Sequence, residues 1–178
     1  MKLLWLCNMV PGKVKEAVSG GSTGGGLWVD SVLEGLLERE DLNIRILCPG
    51  DGGEGKVNAR CSYAFFSEGL PYVYLTELET QFRGELDAFQ PDVIHVWGTE
   101  YGHTLAMVNA AEKAGRLDSL FLPLHFADNG RLSVTICLYC LRSRFVLQLL
   151  PGSGKPSAGE FRHIEGLALE RADRILTL

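Results

Sequence analysis

The 178 residues are 46% hydrophobic and 22% charged, which is typical of a globular domain and excludes an intrinsically disordered chain. The net charge of −5, with no Lys/Arg cluster interleaved with aromatic residues, argues against nucleic acid as a partner. No apolar run reaches the roughly 20 residues that span a bilayer, because Arg142 and Arg144 interrupt the longest one.

The elements predicted in chain order alternate between strands and helices. Periodicity and turn residues predict strands over residues 2–8, 43–48, 61–66, 71–75, 93–97, 119–126 and 174–178. They predict helices over residues 26–39, 76–89, 101–114 and 158–172. Residues 133–149 stay ambiguous between helix and strand. This order predicts a single α/β domain over residues 1–178, with a Rossmann-like, mainly parallel sheet and helices on both faces.

A glycine-rich segment, Ser-Gly-Gly-Ser-Thr-Gly-Gly-Gly over residues 19–26, separates the first strand from the first predicted helix. Glycines let a ligand approach the backbone closely, and the N–H groups at a helix start attract negative charge. The segment therefore predicts a site for a phosphorylated or nucleotide-like ligand. It matches neither the P-loop nor the G-x-G-x-x-G pattern of NAD proteins, and a flexible surface loop is the alternative.

Three histidines and a glutamate are further candidates. His95 lies on a predicted core strand, and Glu100 and His103 follow that strand, where open α/β sheets bind ligands. His125 lies near the end of the next predicted strand, where an imidazole can orient or deprotonate a hydroxyl. A core histidine is the alternative for His95, and a merely solvated one for His125.

The cysteines and the N-terminus indicate a reducing environment. The five cysteines are odd in number and irregularly spaced, which predicts reduced core thiols. Cys137 and Cys140 form a lone C-x-x-C without the second ligand pair that a zinc site needs, so we expect core packing and no metal, with a redox or metal role as the alternative. The first residues lack the features of a signal peptide, which predicts a cytoplasmic protein; peripheral contact with a membrane stays open.

Four segments together resemble the N-terminal domain of family 4 glycosyltransferases. They are residues 2–11, residues 20–28, Pro-Asp-Val-Ile-His-Val-Trp at 91–97 and Ala-Leu-Glu-Arg-Ala-Asp-Arg-Ile at 168–175. The resemblance implies retaining enzymes of the GT-B architecture, in which two Rossmann-like domains face each other across a cleft. In that family the N-terminal domain mostly binds the acceptor. The C-terminal domain binds the nucleotide-sugar donor and carries a Glu-x7-Glu signature, and the family needs no metal.

By position, the resemblance implies that Gly24, Gly25 and Gly26 lie beside the donor phosphates and the acceptor. It also places His125 close to the reacting sugar. His95, Glu100 and His103 are then expected to bind substrate. Residues 126–157 depart from the family pattern.

The expected partners are a nucleotide-sugar donor and a hydroxyl acceptor, with no cofactor. The chain ends where the donor-binding domain would begin, so we expect this half alone to be inactive. Apolar surface left by the missing domain predicts self-association. The alternative function is a stand-alone Rossmann-like module that binds a nucleotide or small ligand without catalysis. An NAD-dependent oxidoreductase is disfavoured because the G-x-G-x-x-G turn is absent.

Overall fold

The computed structural model describes residues 1–20, 28–68, 74–98, 101–127, 133–139 and 146–147. In these residues the strands are β1 (Lys2–Leu6), β2 (Asn43–Pro49), β3 (Glu54–Lys56), β4 (Cys61–Phe66), β5 (Val93–Val96), β6 (Leu120–Ala127), β7 (Ser133–Tyr139) and β8 (Val146–Leu147). The helices are α1 (Gly12–Ser19), α2 (Trp28–Glu38), α3 (Thr76–Phe89) and α4 (Gly102–Lys113), and a 3-10 turn (Leu117–Ser119) precedes β6.

The strands form one mixed sheet in the order β3-β4-β2-β1-β5-β6-β7-β8. Neighbours from β4 through β2, β1 and β5 to β6 are parallel, whereas β3, β7 and β8 pair antiparallel at the two edges. The chain builds β2 and β4 on one side of β1 and then crosses to β5 and β6 on the other. The predicted Rossmann-like α/β class is confirmed, and its reversal of strand order lies between β1 and β5.

Helices cover both faces of the described sheet because the central strands are apolar on both sides. On one face, Leu4 and Leu6 pack with residues of α3 and α4 around the fully buried Phe82. On the other face, Leu3 and Trp5 pack with residues of α1 and α2. Burying each large apolar side chain contributes about 1.5–3 kcal/mol, so these two layers supply most of the stabilisation.

A buried carboxylate joins α3 to α4. Glu79, only 7% exposed, accepts hydrogen bonds from the Lys113 ammonium and the Tyr74 hydroxyl. The pKa of the Glu79 carboxyl is lowered, chiefly by the hydrogen bond from Lys113 and then by that from Tyr74. The pairing holds α3 against α4 on this face of the sheet.

Eight predicted elements are confirmed to within two residues at each end, and the differences fall on short elements. Helix α1 and strand β3 were not predicted. The predicted strand over residues 71–75 is wrong for Tyr74 and Leu75, which lie in no strand, while residues 71–73 lie outside the described residues. The ambiguous stretch 133–149 contains the strands β7 and β8. The elements predicted over residues 158–172 and 174–178 lie outside the described part of the chain.

Candidate functional site at the carboxyl edge of the sheet

Four residues from three different strand ends meet at the carboxyl edge of the parallel strands. Asn8 follows β1, Glu68 follows β4, Gly98 follows β5, and His103 lies in the first turn of α4. Open α/β sheets bind ligands at this edge, at the point where the strand order reverses. The β1–β5 reversal therefore marks the candidate site.

His103 is held from several sides and is fully buried. Its Nδ1 lies 2.5 Å from Oε1 of Glu68. Its ring stacks on that of Tyr101, with centroids 5.1 Å apart and planes 8° apart, and it contacts Phe66 at 5.2 Å. Its Nε2 has no hydrogen-bond partner among the described residues. A histidine oriented by a carboxylate with one ring nitrogen to spare is the arrangement that binds or deprotonates a hydroxyl.

The turn from β5 into α4 brings the site together. Gly98 has a φ of +80°, and a Cβ there would lie 2.7 Å from the Tyr101 ring and 3.1 Å from Nδ2 of Asn8. Its carbonyl accepts a hydrogen bond from the Thr104 hydroxyl. Only glycine fits both the backbone conformation and the space, so Asn8 and Tyr101 can approach each other closely. Oδ1 of Asn8 is buried and has no hydrogen-bond partner in the described structure.

One described flank of the glycine-rich segment, the start of α2, contacts the start of α1, although Gly24, Gly25 and Gly26 themselves lie outside the described residues. Asp30, in the first turn of α2, accepts a hydrogen bond of 2.5 Å from the N–H of Gly12, the first residue of α1. Since Gly12 follows the end of β1, the start of α2 is also near that end. Asp30 is 8% exposed and supplies negative charge to the first turn of α1.

His95 lies within β5, opposite Trp5 of β1 and Phe121 of β6. Its ring packs against Trp97 at 4.4 Å and Phe121 at 4.7 Å between centroids. Burial lowers the pKa of His95 to about 4, so the imidazole is neutral at pH 7. Its Nε2 has no hydrogen-bond partner within the described part of the chain.

For the remaining predicted residues, His125 and Glu100, the structure describes only the backbone of His125. His125 lies in β6, two residues before the strand ends, and pairs with Thr135 of β7. Its side chain lies outside what the structure describes, as does the whole of Glu100. The structure thus brings His103 to the carboxyl edge and leaves the positions of Glu100 and the three glycines open.

Three of the four site residues, Asn8, Glu68 and Gly98, were missed. The sequence prediction makes Asn8 the last residue of the first strand, although a polar residue directly after an apolar run was an available signal. Glu68 carried no signal, because its partner His103 lies 35 residues away along the chain. A long-range ion pair of this kind cannot be found from local spacing.

The described cysteines Cys7, Cys48 and Cys61 are buried free thiols, as predicted. Burial raises the pKa of Cys48 to about 12 and that of Cys61 to about 11, which makes both thiols unreactive. Across the residues that the structure describes, no group of three or more metal-ligating side chains occurs, and no helix has the length and apolarity to cross a membrane.

Comparisons of the chain with protein-family models, with curated proteins and with solved structures found no match.

Proposed function

We propose that this chain is the acceptor-binding half of a retaining glycosyltransferase of the GT-B architecture, similar to family 4. The complete enzyme moves a sugar from a nucleoside diphosphate-sugar to an acceptor hydroxyl. The observation that carries the proposal is the convergence of Asn8 and the Glu68–His103 pair at one strand reversal, with the start of α2 tied to Gly12 after β1. This is the edge at which a Rossmann-like domain binds its ligands.

The proposed roles follow from charge. Backbone N–H groups of Gly24, Gly25 and Gly26 stabilise the diphosphate as it leaves with growing negative charge. Asp30 already satisfies the first turn of α1 with a carboxylate, so the diphosphate is left to the glycine-rich segment. His125 positions groups near the transferred sugar, and His103 serves the acceptor side.

The test begins by reading the gene past Leu178. We expect an open frame of roughly another domain's length that holds Glu-x7-Glu. The complete gene product is then incubated with a panel of nucleoside diphosphate-sugars and candidate acceptors, and release of nucleoside diphosphate is measured. Release that depends on an acceptor supports the proposal, whereas no release with any donor overturns it.

A glycine substitution tests the loop assignment within that assay. Gly25→Leu is expected to abolish sugar transfer without lowering the unfolding temperature, because the bulky side chain keeps the diphosphate from the backbone. Gly84→Leu is the matched control, since a Cβ on Gly84 in α3 would meet nothing within 4 Å, and it should leave transfer unchanged. Normal turnover by Gly25→Leu would remove the loop from the mechanism.

A binding module is the outcome to be separated from an enzyme. Nucleotide binding to the complete product without any transfer would identify a stand-alone module. Clear thermal stabilisation by NAD would favour the oxidoreductase that the sequence disfavours.

A further inference from the structure

We infer that Asn8 and the Glu68–His103 pair form a subsite for the hydroxyl groups of a neutral polyol, a sugar or a cyclitol. The placement of this polyol as the acceptor rests on the proposed function. The subsite itself is argued from the hydrogen-bonding capacity of three side chains at the carboxyl edge.

The proton on the His103 ring is located by its partner. An ionised carboxylate only accepts hydrogen bonds, so the 2.5 Å contact between Glu68 Oε1 and His103 Nδ1 places a proton on Nδ1. In the neutral ring, Nε2 is then an acceptor with no partner among the described residues. Such a buried, unpaired nitrogen on a fully buried side chain calls for a hydrogen-bond donor beyond the described residues, and a ligand hydroxyl is the donor we infer.

The second unpaired atom, Oδ1 of Asn8, is also a hydrogen-bond acceptor. It too is buried without a partner in the described structure. Tyr101 connects the two acceptors, because its ring stacks on His103 and its edge lies at the point where Gly98 and Asn8 meet. Asn8 Oδ1 and His103 Nε2 therefore both require hydrogen-bond donors.

Hydroxyl groups meet that requirement and phosphate groups do not. A phosphate offers acceptor oxygens and negative charge, and the Glu68 carboxylate beside His103 repels it. A polyol offers several O–H donors without charge. The cluster borders solvent at Glu68, whose side chain is 18% exposed, and at the partly exposed Asn8.

The experiment titrates the isotope-labelled chain with glucose, with myo-inositol and with inorganic pyrophosphate at about pH 8, and follows amide and imidazole signals by NMR. We expect at least one polyol to bind with a dissociation constant of about 1–10 mM, a weak affinity typical of a few hydrogen bonds. The signals that move should include Asn8, Glu68 and His103.

Substitutions then assign the contacts. Asn8→Ala should weaken polyol binding about 5- to 10-fold, the loss expected for one hydrogen bond. Glu68→Ala should weaken it by a similar factor, because it removes the acceptor that orients the His103 ring. Asn8→Asp keeps the acceptor and adds charge, so it should retain polyol binding. Asn109→Ala is the matched control: Oδ1 of Asn109 is likewise buried and unpaired within the described residues, but its amide donates to Tyr74 between α3 and α4.

Three results would overturn the inference. They are the absence of binding by both polyols up to roughly 100 mM, binding that Asn8→Ala leaves unchanged, and pyrophosphate alone shifting these residues. Failure here is separable from failure of the proposed function. If the complete product transfers sugar and Asn8→Ala does not change the rate, the proposed function stands and the subsite is wrong. If a polyol binds at Asn8 but no sugar is transferred, the subsite stands and the proposed function is wrong.

Discussion

The neutral imidazole of His95 should make the protein less stable as the pH falls from 7 to 5. In the folded chain, burial between Trp97 and Phe121 lowers the pKa of His95 to about 4 from its ordinary 6.5. At pH 5 the unfolded chain therefore binds a proton that the folded chain does not. Because the unfolded state binds more protons, stability rises with pH in this window and is lost on acidification.

The size of the effect follows from the two pKa values. Integrating proton binding from pH 7 to pH 5 gives a loss of about 2 kcal/mol for His95, with most of it below pH 6. His95→Phe removes the titrating group and the unpaired Nε2 while keeping an aromatic ring between Trp97 and Phe121. The variant should therefore be about as stable as the wild type at pH 7 and should lose about 2 kcal/mol less than it on acidification.

The assay is urea unfolding followed by tryptophan fluorescence at pH 7 and at pH 5 for both proteins. With a slope of roughly 2 kcal/mol per molar urea, the acid shift of the midpoint should be about 1 M larger for the wild type. The other histidines are common to both proteins, so the difference between the two shifts isolates His95. Equal shifts would show that burial does not hold this imidazole neutral.

Three further changes test other contacts. Gly98→Ala should destabilise the fold by about 1–3 kcal/mol in urea unfolding, because position 98 has a positive φ and an added Cβ would clash with Tyr101. Gly20→Ala is the control, since position 20 has a similar φ but open space around it. An equal loss of stability in both variants would show that the clash with Tyr101 contributes nothing. Asp30→Ala should lower the free energy of unfolding by about 1–3 kcal/mol, because it removes the buried hydrogen bond between α1 and α2. The exposed Asp41→Ala is the control and should change stability by close to zero. A loss for Asp30→Ala no larger than that of the control would contradict the role of this hydrogen bond. The Cys48 thiol should react with a disulfide reagent at about pH 8 only after unfolding, as read by mass spectrometry of labelled peptides; rapid labelling of the native protein would contradict its burial.

The sheet was predictable because its central strands are apolar on both faces and are bounded by turn residues. Residues 93–97 follow Pro91, and residues 43–48 end at Pro49-Gly50, so local chemistry marks their limits. Helix α1 escaped prediction because only Val14 and Gly12 of its eight residues are buried, which leaves almost no apolar periodicity. Strand β3 is three residues long and lies in a turn-rich stretch, where alternation cannot be recognised.

The candidate site was predictable only where it lies next to a strand end in the sequence. His103 follows β5 closely and was found for that reason. Its partner Glu68 and the tight turn at Gly98 depend on tertiary contacts, since Glu68 approaches His103 only after β4 and α4 have packed. Tertiary juxtaposition of this kind leaves no periodic trace in either segment.

Two carboxylates, those of Asp30 and Glu68, place negative charge at two helix starts on the carboxyl edge. Asp30 of α2 accepts a hydrogen bond from the first residue of α1, and Glu68 contacts the ring of His103 in the first turn of α4. Each sits at a helix start that would otherwise attract an anion. A ligand that carries both phosphate and hydroxyl groups must then direct its phosphates away from these two starts and its hydroxyls toward Asn8 and His103. Under the proposed function, the phosphates would then face the glycine-rich segment and the acceptor would face Asn8 and His103. Replacing Glu68 by glutamine should accordingly relax the discrimination against pyrophosphate, and unchanged discrimination would refute this effect of the Glu68 charge.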